Sequence, residues 1–156
     1  MSDQQIRVWH GYAFVWVCHL TPSRDSTGHP LTFMPQSRYP KATTKQLNLH
    51  GAGPFCHFTI PTSLTGEGVY IIAQDEQPMY AGQCNDLVSR FNAGYGHISP
   101  ANCYAGGQPT NCKINNRILQ ETLASHALQL WFLPTLDPTR IEKELIYALV
   151  PPWNGR

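Results

Sequence analysis

Four side chains that suit phosphodiester chemistry stand in an ordered series in this sequence. Tyr70 and Tyr80 are ten residues apart, Arg90 follows ten residues later, and Glu142 lies towards the C-terminus. A carboxylate can hold a divalent metal, and an arginine guanidinium matches phosphate oxygens. A tyrosine hydroxyl can pass a proton to or from water. Each residue type alone also has a structural explanation, because strand tyrosines usually pack and charged helix residues usually face solvent.

The elements that must position these residues follow from apolar periodicity and turn signals. Tyr70 and Tyr80 fall on the two arms of a predicted hairpin, Arg90 on the helix after it, and Glu142 on the last helix. The predicted elements, in chain order, are strands at 8–19, 55–60, 69–73 and 79–82, a helix at 87–92, a long loop at 94–110, a helix at 113–124, a strand at 128–133 and a helix at 138–149.

This order of hairpin, helix, strand and helix predicts an α/β fold of the α+β type around a small sheet. Composition shifts near residue 65, since the preceding part holds much of the Thr, Ser, Pro and His. We therefore predict an irregular, β-leaning N-terminal extension over residues 1–65 and a domain over residues 66–156.

Composition excludes several classes of protein. The chain has 156 residues with 42% hydrophobic residues, which argues against disorder. Eleven Lys and Arg against ten Asp and Glu give a net charge of +1, which excludes a charged tail. No run of about 18 apolar residues is present, so no membrane association is expected. Five cysteines without a C-x-x-C pair favour free thiols and a cytoplasmic protein rather than a zinc site.

The order and spacing of these motifs resemble the GIY-YIG nuclease family. Residues 68–70 read Gly-Val-Tyr and residues 80–82 read Tyr-Ala-Gly, with Arg90 ten residues after the second tyrosine. Near the end, Glu142 precedes Leu-Ile at 145–146, and residues 151–154 read Pro-Pro-Trp-Asn. The resemblance covers about residues 66–154, and five matched elements in the right order make it specific.

The resemblance implies a fold and a set of roles. The fold would be a small antiparallel three-stranded sheet flanked by helices, and the activity would be metal-dependent cleavage of DNA. Glu142 would hold one Mg²⁺ or Mn²⁺, and Arg90 would bind the scissile phosphate. Tyr70 would act as general base or position the attacking water, and Tyr80 would orient water or phosphate. Asn154 would brace the site, and Glu144 is the alternative metal ligand, which the motif spacing disfavours.

Two positions depart from the family pattern. Gln83 stands where the family often carries a Lys or Arg, which removes a cation from the site. The family Tyr or His expected about four residues after the arginine falls on Gly94, with Tyr95 and His97 just beyond. Either residue could fill that role, and His97 is the better proton carrier near neutral pH.

A basic, amide-rich segment follows this position. Between residues 80 and 117, Arg90, Lys113 and Arg117 face only Asp86, a local charge of +2. Such a balance suits phosphate contacts with DNA, and the neighbouring Asn and Gln side chains could read bases. A glycine turn followed by a capped helix is the structural alternative.

These observations predict a divalent-metal-dependent DNA endonuclease acting on double-stranded DNA, of a site-specific restriction or defence type. The alternatives are a repair or structure-specific nuclease, a non-catalytic nucleic-acid-binding protein on the same fold, and an interaction protein in which these side chains only pack. A homodimer would suit cleavage of palindromic sites.

Overall fold

The structure is a computed structural model that describes residues 5–155. Residues 1–4 of the predicted N-terminal extension and residue 156 of the predicted domain lie outside the described part. The strands and α-helices of residues 5–155 are, in chain order, β1 (Ile6–Trp9), β2 (Tyr12–His19), β3 (Gly68–Gln74), β4 (Gln77–Cys84), α1 (Leu87–Arg90), α2 (Pro109–Leu123), β5 (Gln129–Pro134) and α3 (Pro138–Leu149).

The strands form one antiparallel sheet in the order β1-β2-β5-β3-β4. The mixed α/β class is confirmed, but the sheet has five strands rather than the three that the family resemblance implied. The two additional strands come from the N-terminal region. The predicted single strand at 8–19 is a hairpin, because the backbone turns at His10 and Gly11, both of which have positive φ.

The chain folds as two compact units. The first contains residues up to Leu20, Ile60–Arg90 and the residues from Ala127 onward. The second contains Thr21–Thr59 and Phe91–His126. Each unit thus draws on both sides of residue 65.

The first unit contains the sheet with its helices α1 and α3. Alternate residues of β3 and β4 pack against the apolar stripe of α3, since strand side chains alternate between faces. The predicted helix at 138–149 is confirmed at both ends, and its Ile141 and Leu145 are buried. The residues of this core are Trp9, Phe14, Val69, Ile71, Ala73, Ala81, Trp131, Ile141 and Leu145.

The second unit is built around α2. This helix begins at Pro109, four residues before the predicted start, because proline is well accommodated in a first helical turn. A π-helical turn at Phe91–Tyr95 and a 3₁₀ turn at Pro100–Cys103 shape the long loop before it. A buried cluster of Phe55, Ile98, Cys103, Tyr104 and Cys112 forms its core.

The prediction of a strand at 55–60 is wrong. Phe55 makes only an isolated bridge to Phe33. The backbone groups of Cys56 bind the side chain of Asn115, and the Phe58 amide donates to the Gly96 carbonyl. The hydrogen bonds of this segment are therefore made with a helix side chain and a loop instead of with a neighbouring strand.

All five cysteines are free thiols. No helix in the described residues is long and apolar enough to cross a membrane.

Candidate active site

Tyr70 lies on β3, between β4 and β5, and its side chain is fully buried. It is paired with Gly82 of β4, and its ring crosses that glycine: a Cβ atom on Gly82 would lie 2.4 Å from the Tyr70 hydroxyl. The third residue of the Tyr-Ala-Gly motif must therefore be glycine, because no other side chain fits under the ring. The Tyr70 hydroxyl lies over β4, which is an edge strand of the sheet.

Tyr80 lies on the same face of the hairpin as Tyr70. It pairs with Ile72, two residues beyond Tyr70 on β3, so strand alternation points both tyrosines to one side. The two ring centroids are 6.3 Å apart with the planes tilted by 38°. Tyr80 is half-buried, whereas Tyr70 is enclosed.

Arg90 is the last residue of α1, and its Nε donates to the Tyr70 hydroxyl at 3.5 Å. The Asp86 side chain fixes the start of this short helix, because its two carboxylate oxygens accept from the amides of Gly66 and Ser89. These bonds lower the pKa of the Asp86 carboxyl. The anchored helix start sets the position from which Arg90 reaches the tyrosine.

Glu142 projects from α3 towards Gln83 of β4. The Gln83 amide Nε2 donates to Glu142 Oε1 at 3.4 Å. The Oε1 atom of Gln83 accepts from the Thr139 hydroxyl at 3.0 Å. Burial raises the pKa of the Glu142 carboxyl, although the bonds from Gln83 and the positive charges of Arg90 and Lys143 oppose that rise. Glu142 is thus a half-buried carboxylate whose negative charge a cation would stabilise.

Glu144, the alternative metal ligand, is occupied elsewhere. Its Oε2 accepts from the Tyr12 hydroxyl at 2.5 Å, and its Oε1 accepts from Arg140 Nη1 at 2.7 Å. These partners lower the pKa of the Glu144 carboxyl. The two glutamates of α3 therefore differ in their partners: Glu142 accepts from the neutral amide of Gln83, whereas Glu144 forms an ion pair with Arg140.

Asn154 completes the edge of the sheet. Its Oδ1 accepts from the Ala81 amide at 2.8 Å, and its Nδ2 donates to the Ala81 carbonyl at 2.9 Å. Both backbone groups of Ala81, which β4 would otherwise leave unpaired at its outer side, are thereby satisfied. The residue between Tyr80 and Gly82 is held in place by the C-terminal segment.

The candidate residues of the first unit meet at this edge, but not on one face. Gln83 alternates with Ala81 on the α3 side of β4, whereas Tyr70 and Tyr80 lie on the other side. Arg90 contacts the Tyr70 hydroxyl on the tyrosine side, and Glu142 contacts Gln83 on the α3 side.

The remaining predicted residues belong to the second unit. Tyr95 is fully buried and packs edge-on against Phe91, with ring centroids 5.1 Å apart. His97 pairs with His57: His57 Nε2 and His97 Nδ1 are 2.5 Å apart, and both rings line a small pocket. Burial and the charge of His97 lower the pKa of His57.

Lys113 and Arg117 line a second pocket in this unit, together with His50. His50, His57 and Asn115 were not among the predicted residues. Asn115 is a fully buried amide that binds the backbone of Cys56 and the carbonyl of Tyr95. In the sequence, Asn115 follows Ile114 and precedes Leu119 by four residues, so it falls beside the apolar face of the predicted helix. This spacing is the signal that could have marked it as buried.

The donor set suits only an open metal site. The described residues contain no group of three or more His, Cys, Asp or Glu side chains that could hold a metal ion together. A cation at Glu142 would have one carboxylate ligand and would take its other ligands from water and substrate phosphate. Mg²⁺ is commonly bound in this way, and Mn²⁺ accepts similar oxygen ligands.

Comparisons with protein-family models, with curated proteins and with solved structures find no match to this chain.

Proposed function

We propose that this protein is a divalent-metal-dependent endonuclease of the GIY-YIG type that hydrolyses phosphodiester bonds in double-stranded DNA. One observation carries the proposal: Arg90 contacts the Tyr70 hydroxyl at 3.5 Å, and Glu142, 72 positions away in the sequence, contacts Gln83, the residue after the strand partner of Tyr70. A cation, a phenol and a partly buried carboxylate around one sheet edge are the groups that phosphodiester hydrolysis needs.

The topology around the site supports the same class. Strands β4, β3 and β5 are adjacent and antiparallel, and α1 and α3 follow β4 and β5 in the chain. We compare these elements with the three-stranded sheet and flanking helices that the resemblance implies, although they belong to a sheet of five strands. The hairpin of β1 and β2 extends that sheet on the β5 side.

The geometry gives each residue a role in the proposed reaction. Glu142 would hold Mg²⁺ or Mn²⁺, which polarises the scissile phosphate and stabilises the leaving oxygen. Arg90 binds a phosphate oxygen through its guanidinium, and Tyr70 holds that guanidinium in place. Because Tyr70 is fully buried and Tyr80 is not, Tyr80 is better placed to orient the attacking water.

Gln83 has a supporting role in this arrangement. Its amide donates to one oxygen of Glu142 and is itself held by Thr139, so the carboxylate keeps one orientation. A neutral amide at this position does not compete with the metal for the charge of Glu142, as a lysine would. Asn154 holds the strand that carries Tyr80.

The test is cleavage of supercoiled plasmid in Mg²⁺ or Mn²⁺ by the wild type, Glu142→Gln and Glu144→Gln. The Glu144 variant removes the same charge from the same helix and is the matched control. We expect the wild type and Glu144→Gln to cut, Glu142→Gln to lose at least about 100-fold in rate, and EDTA to abolish cleavage. Equal loss in both variants would contradict the assignment of Glu142.

The cleavage pattern separates the biological alternatives. Discrete fragments indicate a site-specific enzyme of the restriction or defence type, which is the role that we propose. Cleavage confined to branched or damaged substrates indicates a repair or structure-specific nuclease.

A non-catalytic DNA-binding protein is the second candidate function. The presence of Gln83 in place of a cation and the full burial of Tyr70 favour it. It predicts that the wild type retards DNA in gels without cutting it in either metal, and that Glu142→Gln leaves that binding unchanged.

A further inference from the structure

Positive charge is concentrated in one of the two units. By sequence, the second unit has six Lys and Arg against two Asp and Glu, and it contains five of the seven histidines. The first unit has five Lys and Arg against eight Asp and Glu. The net charge of +1 therefore conceals a basic unit of charge +4 and an acidic unit of charge −3.

Part of this positive charge lines a pocket of about 330 Å³. Lys113 and Arg117 are one turn apart on α2, so their side chains share a helix face. His50, on the segment before β3, and Asn116 of α2 also line the pocket. None of the described residues that line the pocket is acidic.

Hydrogen bonds fix the two chain segments that line the pocket. The Asn116 side chain donates to the Pro54 carbonyl at 2.8 Å, which ties α2 to the chain after His50. The His50 amide donates to Asn48 Oδ1 at 2.9 Å, and Asn48 Nδ2 donates to the Asn102 carbonyl at 2.7 Å. The walls are therefore set before any ligand binds, which reduces the entropy lost on binding.

The cations of the pocket disfavour one another. Burial and the charge of Arg117 lower the pKa of Lys113. Burial and the charges of Lys113 and Arg117 lower the pKa of His50. Like charges gathered in one concave site raise the free energy of the unliganded protein, and a bound anion would lower it.

We propose that His50, Lys113 and Arg117 form a phosphate-binding pocket and, on the basis of the proposed function, that its ligand is a backbone phosphate of double-stranded DNA. Lys113 and Arg117 supply the charge, the guanidinium also supplies paired donors, and His50 supplies a ring N–H. Contacts of this kind set the register of a protein on DNA without reading its sequence.

The test is binding of a fluorescent duplex measured by anisotropy in EDTA over a range of salt concentrations. Lys113→Ala/Arg117→Ala is compared with Lys41→Ala/Lys45→Ala, which removes the same charge at the same spacing from exposed positions of the same unit. We expect the pocket pair to weaken binding at least about 10-fold and to reduce the salt slope by about 1, and the control pair to change affinity by less than about 3-fold. Equal weakening by both pairs, or none by either, overturns the pocket.

Two further arms identify the source of the phosphate and guard against misfolding. Duplexes with and without a 5′-phosphate should bind equally if the pocket takes an internal phosphate, and a preference for the 5′-phosphate overturns that assignment. Inorganic phosphate should raise the Tm of the wild type more than that of Lys113→Gln/Arg117→Gln at matched ionic strength. Equal shifts in the two proteins count against the pocket.

This result is independent of catalysis because EDTA removes the metal. Binding that depends on the pocket, together with no cleavage in Mg²⁺ or Mn²⁺, would retain the pocket and reject the nuclease. Cleavage together with binding that does not depend on Lys113 and Arg117 would retain the nuclease and reject the pocket. If the wild type binds no duplex, the pocket proposal fails as well.

Discussion

The ring of Tyr70 rests directly on the backbone of Gly82, its partner on the neighbouring strand. A Cβ atom at Gly82 would lie 2.4 Å from the Tyr70 hydroxyl oxygen and 2.5 Å from the ring carbon that carries it. The Gly-Val-Tyr motif at 68–70 and the Tyr-Ala-Gly motif at 80–82 are therefore mutually dependent, since the glycine of the second makes room for the tyrosine of the first.

This contact predicts that Gly82→Ala displaces Tyr70. Because Tyr70 is fully buried, we expect a loss of about 1–3 kcal/mol in the free energy of unfolding, measured by urea denaturation. The control is the double-mutant cycle with Tyr70→Leu, in which the smaller side chain should remove most of the cost of Gly82→Ala. Additive effects of the two substitutions would show that the ring is not what the new methyl group meets.

The pairing of Asn154 with Ala81 predicts a stabilising role for the C-terminal segment. Asn154→Ala removes two hydrogen bonds, of 2.8 and 2.9 Å, from the edge strand, and we expect a loss of about 1–3 kcal/mol in stability. Asn154→Asp should be no better, because a carboxylate oxygen would then face the Ala81 carbonyl. The matched control is Asn85→Ala, at an exposed asparagine just after the same strand. A comparable loss there would argue against a specific edge contact.

Opposite pH dependence is expected for the two glutamates of α3. Burial raises the pKa of Glu142, so the folded protein holds that proton more tightly than the unfolded chain. Glu142 therefore costs stability at neutral pH, and that cost disappears below the unfolded pKa of about 4.3. We expect Glu142→Gln to raise Tm at pH 7 and to match the wild type near pH 4.

Glu144→Gln provides the comparison of opposite sign. The Tyr12 hydroxyl and Arg140 lower the pKa of Glu144, so its contribution is present above the unfolded pKa and is lost as pH falls through the lowered value. We expect this variant to lower Tm at pH 7, with a deficit that shrinks in acid. The same sign for both variants in a pH series of thermal melts would refute the electrostatic assignment.

The buried amide of Asn115 predicts the largest stability effect in the second unit. It is fully buried and makes three hydrogen bonds of 2.7–2.9 Å, two to Cys56 and one to the Tyr95 carbonyl. Asn115→Ala removes all three of these buried hydrogen bonds, and we expect a loss of about 3 kcal/mol or more. Asn116→Ala, on the next residue, removes one bond at a more exposed position and should cost about 1 kcal/mol. Similar costs in chemical denaturation would mean that the buried amide is replaceable by water.

Local pattern was most informative where an apolar stripe or an apolar run is bounded by turn residues. The stripe that contains Ile141 and Leu145 predicted α3 at both ends, and the apolar run at 69–73 followed by a turn at 75–78 predicted the β3–β4 hairpin. The pattern failed where a turn interrupts a continuous apolar run, as at His10–Gly11, and where a β-like segment bonds to a side chain, as at Cys56.

Sequence alone therefore determined the class of elements and the order of the candidate residues, because these depend on neighbours in the chain. Tertiary structure decided which side chains meet. It gave Glu144 an ion pair with Arg140 and left Glu142 half-buried beside Gln83, paired His57 with His97, and placed His50 with Lys113 and Arg117. Most of these partners lie tens of residues apart in the sequence, and the two glutamates differ in the face of α3 that carries them. The distances between such side chains are set by the path of the folded chain.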